Sequence, residues 1–379
     1  MIVLGGGASG CMCALATDCD DVCIIDRQNK IGKKILATGN GRCNITNQSC
    51  TRDKYNVDIE KYLSRLSPAD TLAFFRNLGL ECSFDSEGRC YPLSNSAKSV
   101  VSVLENGITK KGVRVRLEEE IQKVEKCGQN YLVKTDKNEY ACEKLVIATG
   151  GNSAHAILDN LQVPHSPFMP SLCSLKADVS RGLANVRVSS VKVTATSSSG
   201  KKQVENGEVL FRENGLSGIV IFNLSSIFAR EGVYKGKIEI DLLPNISESA
   251  FFEMLARRRS LALPVNKFFD GLFVQELGWE ILSRSHVNEN GLTTQMTDDE
   301  IRRLAREIKQ LGFTVKGCGE NNQVCSGGVN LAALDDNLQH KSQKNLYFCG
   351  EVCDVDGLCG GFNLQWAWTS GYIVGKAIR

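Results

Sequence analysis

The N-terminal part of the chain alternates short apolar runs with a glycine-rich segment. Ile2–Leu4 is apolar, residues 5–10 read Gly-Gly-Gly-Ala-Ser-Gly, and the segment that follows, to about Ala16, is rich in small and apolar side chains. A second apolar run covers residues 22–25. Continuous apolar runs of this length are typical of buried parallel strands. The pattern therefore predicts a strand, a helix and a second strand at the start of the chain.

Beyond this βαβ start, the hydrophobic pattern changes along the chain. An apolar stripe with helical spacing covers residues 60–80. Residues 165–240 are rich in β-branched side chains, including the run 219–224, and predict an antiparallel sheet or barrel. Residues 247–312 predict helices. Further predicted elements are strands near residues 113–117, 131–135, 145–148 and 346–349, and a last helix at 363–377.

Composition and charge narrow the class of protein. The chain has 379 residues, 42% of them hydrophobic, and 45 Lys and Arg nearly balance 43 Asp and Glu to a net charge of +2. This balance lacks the basic field that proteins binding nucleic acids or membrane surfaces usually carry, and no apolar run approaches the roughly 20 residues that span a bilayer. We therefore expect a cytoplasmic protein with a small-molecule substrate and neither a nucleic-acid nor a membrane partner; the oligomeric state is not predicted.

Sixteen cysteines are many for this length, but their spacing indicates neither a metal site nor a disulfide framework. No Cys-x-x-Cys pair occurs, and the chain has only four histidines. Disulfide frameworks belong mainly to small secreted chains. We expect reduced thiols that pack as small hydrophobic side chains, and no metal ion. His155 and His165 belong to no motif and could face a substrate.

The glycine-rich segment matches the G-x-G-x-x-G dinucleotide fingerprint in its full context, with a strand before it and a helix after it. Gly5 permits the tight turn, and Gly7 lets a pyrophosphate approach the N-terminus of the helix. Asp26 ends the second strand about 20 residues later, where a carboxylate can accept hydrogen bonds from ribose hydroxyls. The same carboxylate would repel the 2′-phosphate of NADP, so the fingerprint indicates FAD or NAD.

Three later segments favour FAD over NAD. Residues 33–44 contain glycines, amides and cations that could surround a flavin diphosphate, and residues 148–151 end a strand with Ala-Thr-Gly-Gly. Near the C-terminus, residues 348–351 precede Gly360 and Gly361 at the start of a helix. The N-terminus of that helix would stabilise negative charge on a reduced flavin. A simple NAD dehydrogenase needs no such return of the chain to its nucleotide domain.

Two of these segments resemble one family of FAD-dependent NAD(P)/FAD oxidoreductases, which includes bile-acid 3-oxo-steroid ene-reductases and aminoacetone oxidases. The most specific similarity lies in residues 39–47, Gly-Asn-Gly-Arg-Cys-Asn-Ile-Thr-Asn, and in residues 350–357 and 360–367. The resemblance extends over nearly the whole chain. It implies an α/β fold: a glutathione-reductase-like, Rossmann-type FAD domain with an inserted β-barrel domain and a small helical domain.

The pattern and the resemblance together assign residues and domains. No catalytic residue is assigned, and Cys43 is placed in a pocket wall, although its neighbour Arg42 could lower its thiol pKa. The predicted domains are a FAD-binding part at 1–160, a first barrel part at 161–244, a helical insertion at 245–315, last barrel strands at 316–335 and a second FAD-binding part at 336–379. The residues predicted to bind the cofactor are Gly5, Gly7, Ala8, Ser9, Asp26, Arg27, Lys34, Thr38, Asn40, Gly41, Arg42, Cys43, Asn44, Ile121, Ala148, Thr149, Gly150, Gly350, Glu351, Asp356, Gly361, Phe362, Asn363, Leu364 and Gln365.

The resemblance implies an enzyme, and two departures from the family pattern bear on its substrate. The loop at residues 152–164 is shorter than its family counterpart, and Arg212 and Glu213 stand where the family usually has Thr-His. We expect a FAD-dependent oxidoreductase, preferably a reductase of an unsaturated carbonyl compound with NADH or NADPH as a transient electron donor. The alternatives are an amine or aminoketone oxidase that uses oxygen, and a flavin-binding, redox-responsive interaction protein with little turnover.

Overall fold

The computed structural model describes residues 1–151 and 153–379, except for the side chains of residues 320–322. The helices are α1 (Ala8–Ala16), α2 (Glu60–Leu63), α3 (Pro68–Asn77), α4 (Ala97–Lys110), α5 (His155–Asn160), α6 (Ile219–Glu231), α7 (Glu248–Arg259), α8 (Gln275–Arg284), α9 (Asp298–Lys309) and α10 (Phe362–Ala377). The strands are β1 (Ile2–Leu4), β2 (Cys23–Ile25), β3 (Thr46–Asn47), β4 (Cys82–Phe84), β5 (Arg89–Pro92), β6 (Arg114–Arg116), β7 (Ile121–Cys127), β8 (Asn130–Thr135), β9 (Glu139–Cys142), β10 (Leu145–Ile147), β11 (Ser166–Ala177), β12 (Arg187–Ser197), β13 (Lys202–Arg212), β14 (Gly215–Ser217), β15 (Gly236–Asp241), β16 (Leu311–Gly328) and β17 (Leu346–Phe348).

The chain separates into two compact units, Met1–Met169 with Val324–Arg379 and, between them in sequence, Pro170–Gln323. The finer division into five ranges remains a prediction. The first unit is built on a five-stranded sheet in the order β17-β10-β1-β2-β6, in which every pair of neighbours is parallel. The three central strands are buried along their whole length, as the continuous apolar runs predict.

The two ends of the chain meet in this unit, because α10 packs directly along α1. Two glycines of α10 permit the close approach. A β-carbon at Gly371 would lie 2.3 Å from the carbonyl oxygen of Ser9, and one at Gly375 would lie 2.6 Å from that of Cys13. Smaller antiparallel sheets, β3-β5-β4 and β7-β8-β9, complete the unit. The C-terminal return predicted from the sequence is thus present.

The second unit contains most of a closed barrel with the strand order β11-β14-β13-β12-β15-β16. The helices α7, α8 and α9 lie between β15 and β16 in sequence, and their buried residues Phe251, Ile281 and Leu304 belong to the same hydrophobic core as the barrel. A Rossmann-type unit, a closed barrel and a helical insertion are the fold class expected from the sequence, which is confirmed.

One predicted strand is wrong. Residues 219–224 form the start of the helix α6, not a strand. Val220, Ile221 and Leu224 are buried, whereas Ile219 at the start of the helix is exposed. A short apolar run has no period that separates a buried helix from a buried strand. Gly218, with a φ of 109°, allows the chain to leave β14 and enter this helix.

Candidate functional site

The fingerprint turn joins β1 to α1, and its glycines have different reasons to be glycine. Gly5 has a φ of 102°, and a β-carbon there would lie 2.4 Å from the Ala148 carbonyl oxygen. A β-carbon at Gly10 would lie 1.9 Å from the Gly5 carbonyl oxygen. Gly7 is different, because a β-carbon there would meet nothing within 4 Å. Packing therefore explains Gly5 and Gly10, whereas Gly7 keeps open the space in front of the helix.

Helix α1 presents its N-terminus to this space. It begins at Ala8, next to Ser9, and its N-cap residue Gly7 supplies no side chain to bind the first backbone N–H groups. The first turn contains no acidic residue. An uncapped helix N-terminus carries partial positive charge and free donors, which suit a phosphate group. The Ser9 hydroxyl points elsewhere and donates to the carbonyl of Cys349 over 3.2 Å.

Asp26 directly follows the last residue of β2, and its carboxylate supports the fingerprint turn. One oxygen accepts from the backbone N–H of Gly6 at 2.6 Å, and the other accepts from the N–H of Gln28 at 2.8 Å. Each carboxylate oxygen can accept more than one hydrogen bond, so the group retains capacity for ribose hydroxyls. The neighbouring Arg27 is exposed.

A strained loop follows at residues 38–44. Gly39, Asn40 and Gly41 have φ values of 56°, 54° and 80°, and Cys43 has one of 61°. Asparagine tolerates a positive φ, but the same conformation is costly for Cys43, and such strain is often found at functional sites. Inside the loop, the Thr38 carbonyl accepts from the N–H of Cys43 at 3.0 Å.

The side chains of this loop divide between solvent and interior. Arg42 is exposed and places its guanidinium 4.2 Å from the centre of the Tyr91 ring. Asn44 is buried, and its side-chain oxygen accepts from the N–H of Cys90 at 3.2 Å. The loop therefore offers mainly its backbone and the Arg42 charge to a ligand.

The end of β10 forms another part of the site. Ala148 is buried, and Gly150 has a φ of 76° with only the Glu351 carboxylate near its missing side chain, at 3.5 Å. Thr149 carries a buried hydroxyl that has no hydrogen-bond partner among the described residues. A buried polar group without a partner is unusual and calls for an explanation. A ligand that hydrogen-bonds to Thr149 would provide one.

Glu351 connects three segments that are distant in sequence. Its carboxylate accepts from Lys34 Nζ at 2.7 Å and from the backbone N–H of Cys325 at 2.5 Å. Burial lowers the pKa of Lys34, but the Glu351 carboxylate outweighs it and the net shift is upward. Because the Lys34 side chain is 60% exposed, the ion pair adds little to stability. Its role is to hold the residue-34 turn beside the end of β10.

The start of α10 is also shaped by glycine. Gly361 is the N-cap residue with a φ of 97°, and no side chain caps the helix. Gly350 has a φ of 80°, and a β-carbon there would lie 2.4 Å from the Ser9 hydroxyl. Asn363 clasps the preceding loop, because its amide donates to the Gly357 carbonyl at 2.8 Å and accepts from the Gly357 N–H at 2.9 Å.

Residues near this helix are more buried than a surface cofactor site would require. Phe362 and Asp356 are buried, and one oxygen of the Asp356 carboxylate accepts from the Ser326 hydroxyl at 3.0 Å. Leu364 is half-buried. Ile121 is half-buried at the first position of β7, away from these segments in sequence.

The Gln365 side chain, which the sequence predicts to bind the cofactor, lies in the protein core. Its side chain is fully buried and accepts from the Thr46 hydroxyl at 2.6 Å. Its amide nitrogen lies within hydrogen-bond distance of the Leu66 carbonyl and of the Thr71 and Thr369 hydroxyls, at 2.9–3.0 Å. The side chain is therefore committed to the core, and the backbone N–H of Gln365 donates to the Gly361 carbonyl at 3.0 Å.

Sequence reasoning missed Glu119, which is buried next to the end of β2. Its backbone N–H donates to the Asp26 carbonyl at 3.2 Å. Its carboxylate accepts from Thr135 at 2.9 Å, from Asn138 at 3.2 Å and from Tyr140 at 2.9 Å. Glu119 thereby fastens the β7-β8-β9 sheet to the Asp26 region. A single acidic residue among several in a row carries no local signal of such a role.

The unpartnered hydroxyl of Thr149 leads to a prediction. Replacing Thr149 with valine keeps the shape and removes a buried polar group that has no partner in the described chain. We expect the flavin-free protein to be as stable as wild type, or more stable by about 1 kcal/mol, while FAD affinity falls up to about tenfold. Thermal denaturation without FAD and a FAD titration measure the two effects. Equal FAD affinity in both proteins would refute a role for the hydroxyl in binding.

The environment of Cys43 corrects one expectation. Its thiol is fully buried, and burial raises its pKa to about 12, so the neighbouring Arg42 does not lower it. We predict that iodoacetamide at pH 8 labels native Cys43 roughly a thousandfold more slowly than the exposed Cys127. Since the pKa is raised from 9.0, the stabilising contribution of the neutral thiol is complete below pH 9 and is lost as the pH rises toward 12. Peptide mapping of labelled native and unfolded protein measures the two labelling rates. Equal rates for Cys43 and Cys127 in the native protein would contradict the prediction.

His155 lies in the segment at residues 152–164 that differs from the family pattern, and His165 directly follows that segment; residue 152 lies outside the described residues. Their ring centres are 4.9 Å apart, and His155 Nδ1 is 2.9 Å from an Asp159 carboxylate oxygen.

In the part of the chain that the structure describes, no helix combines the length and apolar character that crossing a bilayer requires.

Three features of the first unit fit a dinucleotide such as FAD. These are the open space at Gly7 before an uncapped helix, the Asp26 carboxylate at the end of β2, and the unpartnered Thr149 hydroxyl at the end of β10. Donors at a helix N-terminus suit a diphosphate, and a carboxylate after the second strand suits a ribose. The residues present are thus of the right kind and in the right order for this cofactor.

Comparisons with known proteins give the family. Residues 1–377 match the family described as "HI0933-like protein Rossmann domain". The chain is 31% identical to a 3-dehydro-bile acid delta(4,6)-reductase of Clostridium scindens, over 99% of this chain and 98% of that protein. It is 30% identical to a ribosomal RNA dihydrouridine synthase of Escherichia coli, over 98% of this chain and 96% of that protein.

Among solved structures, a 3-ketosteroid delta1-dehydrogenase from Sterolibacterium denitrificans superimposes with a TM-score of 0.48 and 12% identity, over 99% of this chain and 98% of that one. The family match spans nearly the whole chain, and the bile-acid reductase is similar over its full length. The chain therefore belongs to the HI0933-like Rossmann-domain family and is an FAD-dependent oxidoreductase.

Proposed function

We propose that this oxidoreductase takes electrons from NADH or NADPH and uses them to saturate a carbon–carbon double bond conjugated to a carbonyl group in a small molecule. The observation that carries the proposal is the full-length similarity to a 3-dehydro-bile acid delta(4,6)-reductase. Double bonds at positions 4 and 6 of a 3-oxo steroid are conjugated to the carbonyl. The double bond that is saturated when uridine becomes dihydrouridine is likewise conjugated to a ring carbonyl. Both relatives' names therefore describe one type of substrate bond.

We further propose how the chain holds the cofactor. The diphosphate lies at the N-terminus of α1, and the adenosine ribose lies against the Asp26 carboxylate. The strained loop at residues 38–44 and the end of β10 surround the remainder of the molecule. The full set proposed for binding is Gly5, Gly7, Ala8, Ser9, Asp26, Arg27, Lys34, Thr38, Asn40, Gly41, Arg42, Cys43, Asn44, Ile121, Ala148, Thr149, Gly150, Gly350, Glu351, Asp356, Gly361, Phe362, Asn363 and Leu364. Gln365 is left out of the set because its side chain and its backbone N–H bond within the protein.

FAD, when bound, supplies hydride transfer, and the chain supplies orientation and electrostatics. Helix α10 has 16 residues and no side-chain cap, so its N-terminus at Gly361 carries partial positive charge. This end of the helix favours negative charge on a group placed against it. The two hydrogen bonds between Asn363 and Gly357 hold the preceding loop in place.

Anaerobic stopped-flow reduction tests the proposed function. We expect NADH or NADPH to bleach the flavin absorbance, and a 3-oxo steroid with conjugated double bonds to restore it with formation of the saturated product. Reduction by an amine or aminoketone, followed by peroxide formation with oxygen, would instead show an oxidase. Failure of every donor to reduce bound FAD would contradict an enzyme of either kind and favour the redox-responsive interaction protein.

Dihydrouridine formation in ribosomal RNA is a second candidate, because the E. coli relative with that name matches over 98% of this chain. The net charge of +2 does not favour a large polyanionic substrate. Incubation with NADPH and unmodified ribosomal RNA, followed by nuclease digestion and mass spectrometry, distinguishes the candidates. Dihydrouridine that appears only with the active holoenzyme would establish the RNA as substrate and displace the small-molecule proposal.

A further inference from the structure

We propose that His155, Asp159 and His165 form a binding site for a divalent transition-metal ion, with Zn²⁺ the best match. Each of these residues offers one ligand atom, and the three atoms lie within 4.8 Å of one another. Among the residues that the structure describes, no other group of three His, Cys, Asp or Glu meets this condition. The sequence predicted no metal site, because these residues match no zinc-ligand spacing.

Local structure explains why the three side chains converge. His155 and Asp159 are four residues apart on α5, so they project from the same face of the helix. Ile157 and Leu158, between them, are buried and anchor the helix to the core of the first unit. After α5, Gln162 has a φ of 54°, and the chain turns back so that the His165 ring meets the His155 ring edge-on at 4.9 Å.

Hydrogen bonds fix which nitrogen of His165 is free. Its Nδ1 lies 3.0 Å from the carbonyl oxygen of Val163. A carbonyl oxygen only accepts, so Nδ1 carries the proton and Nε2 keeps its lone pair for a metal. A ring N–H held by a backbone carbonyl is the usual support of a metal-binding histidine. Phe168 stacks on the same ring, with centroids 5.8 Å apart and an interplanar angle of 29°.

His155 and Asp159 supply the other two ligands. His155 Nδ1 and an Asp159 carboxylate oxygen lie 2.9 Å apart, so these two ligand atoms are already side by side. A metal ion bound by both atoms would require little change in their separation. The side chains of His155 and Asp159 are 63% and 58% exposed, so both can rotate. Rotation can bring the three ligand atoms, which lie within 4.8 Å of one another, to the separation of roughly 3.3 Å found in a tetrahedral zinc site.

The donor set selects the kind of ion. Two imidazoles and one carboxylate suit Zn²⁺ and its neighbours in the first transition row, whereas Mg²⁺ and Ca²⁺ prefer oxygen ligands throughout. Three protein ligands leave one position for water or another ligand. The proposed metal site lies near the end of β10. Phe168, which stacks on the His165 ring, lies 3.2 Å from where a β-carbon on Gly151 would be, and Gly151 directly follows Gly150.

Metal titration of the untagged, FAD-loaded protein tests the site. Calorimetry with Zn²⁺ is expected to show one ion bound per chain, with binding lost in His155→Ala and weakened at least tenfold in the isosteric Asp159→Asn. His286→Asn is the matched control: His286 is exposed in the second unit with a φ of 50°, which asparagine tolerates, and its variant should bind as wild type does.

Co²⁺ identifies the ligands, since the chain also has 16 thiols. We expect difference spectra with visible d–d bands and no thiolate-to-cobalt charge transfer, and we expect the bands to disappear in His155→Ala. Thiolate bands, unchanged binding in His155→Ala, or the absence of stoichiometric binding would each overturn the proposal. Circular dichroism of the variants without metal confirms that they are folded.

Discussion

Replacing Gly7 with valine yields a folded chain that binds FAD at least a hundredfold more weakly, a loss of about 2.7 kcal/mol in binding free energy. Gly7 has an ordinary extended backbone, with φ −78° and ψ −168°, and a β-carbon there meets nothing within 4 Å. The valine is thus tolerated by the protein itself. Its side chain enters the space before the N-terminus of α1 and holds a diphosphate away from the backbone N–H groups.

Gly182 provides the control for this substitution. A β-carbon at Gly182 also meets nothing within 4 Å, and the residue lies in the second unit. Gly182→Val should therefore leave both stability and FAD affinity unchanged. Thermal denaturation without FAD checks the folding of each variant, and fluorescence titration measures FAD binding. A folded Gly7→Val protein with wild-type affinity would show that the diphosphate does not lie at α1.

The second large effect is expected at Gln365, where a substitution lowers the stability of the fold and not the affinity for FAD. Gln365→Leu fills a similar volume but leaves the Thr46 hydroxyl without its acceptor and the Thr71 hydroxyl without its donor, all within a fully buried region. Each unsatisfied buried group costs 1–3 kcal/mol by general experience, so we expect the free energy of unfolding to fall by about 3 kcal/mol. Urea denaturation of the flavin-free protein measures the change.

Gln275 is the matched control, because it is an exposed glutamine in the first turn of α8. Gln275→Leu should change the free energy of unfolding by less than about 0.5 kcal/mol. If Gln365→Leu is as stable as wild type but binds FAD weakly, the side chain serves the cofactor and its placement in the core is not its main role. A loss of stability with normal FAD affinity per folded molecule supports the core role.

Local patterns predicted the parts of the fold in which a residue type has one physical consequence. The apolar runs at β1, β2 and β10 became buried parallel strands, and Gly5 of the fingerprint occupies a turn position that favours glycine. The run at 219–224 was misjudged because a run of only six residues, nearly all apolar, has no period that separates a helix from a strand.

Pairing between distant residues could not be read in the same way. Thr46 and Gln365 are separated by 319 residues, and Lys34 and Glu351 by 317. Neither partner carries a signal of the other, and a glutamine beside a glycine-rich helix start is compatible with both a ligand and a core clasp. His165 likewise meets His155 and Asp159 because the chain reverses direction at Gln162.

By itself, then, the amino-acid sequence determined the cofactor class and the order of the segments that could hold it. It did so because missing side chains, positive φ values and a carboxylate after a strand are local properties that a nucleotide requires. The tertiary structure decided which side chains face that space and which turn into the core. The Gln365 side chain is bonded in the core, and the Glu351 carboxylate binds Lys34. Gly7 faces open space, and the Thr149 hydroxyl has no hydrogen-bond partner among the described residues. These choices depend on packing between the two ends of the chain, which no local window of sequence contains.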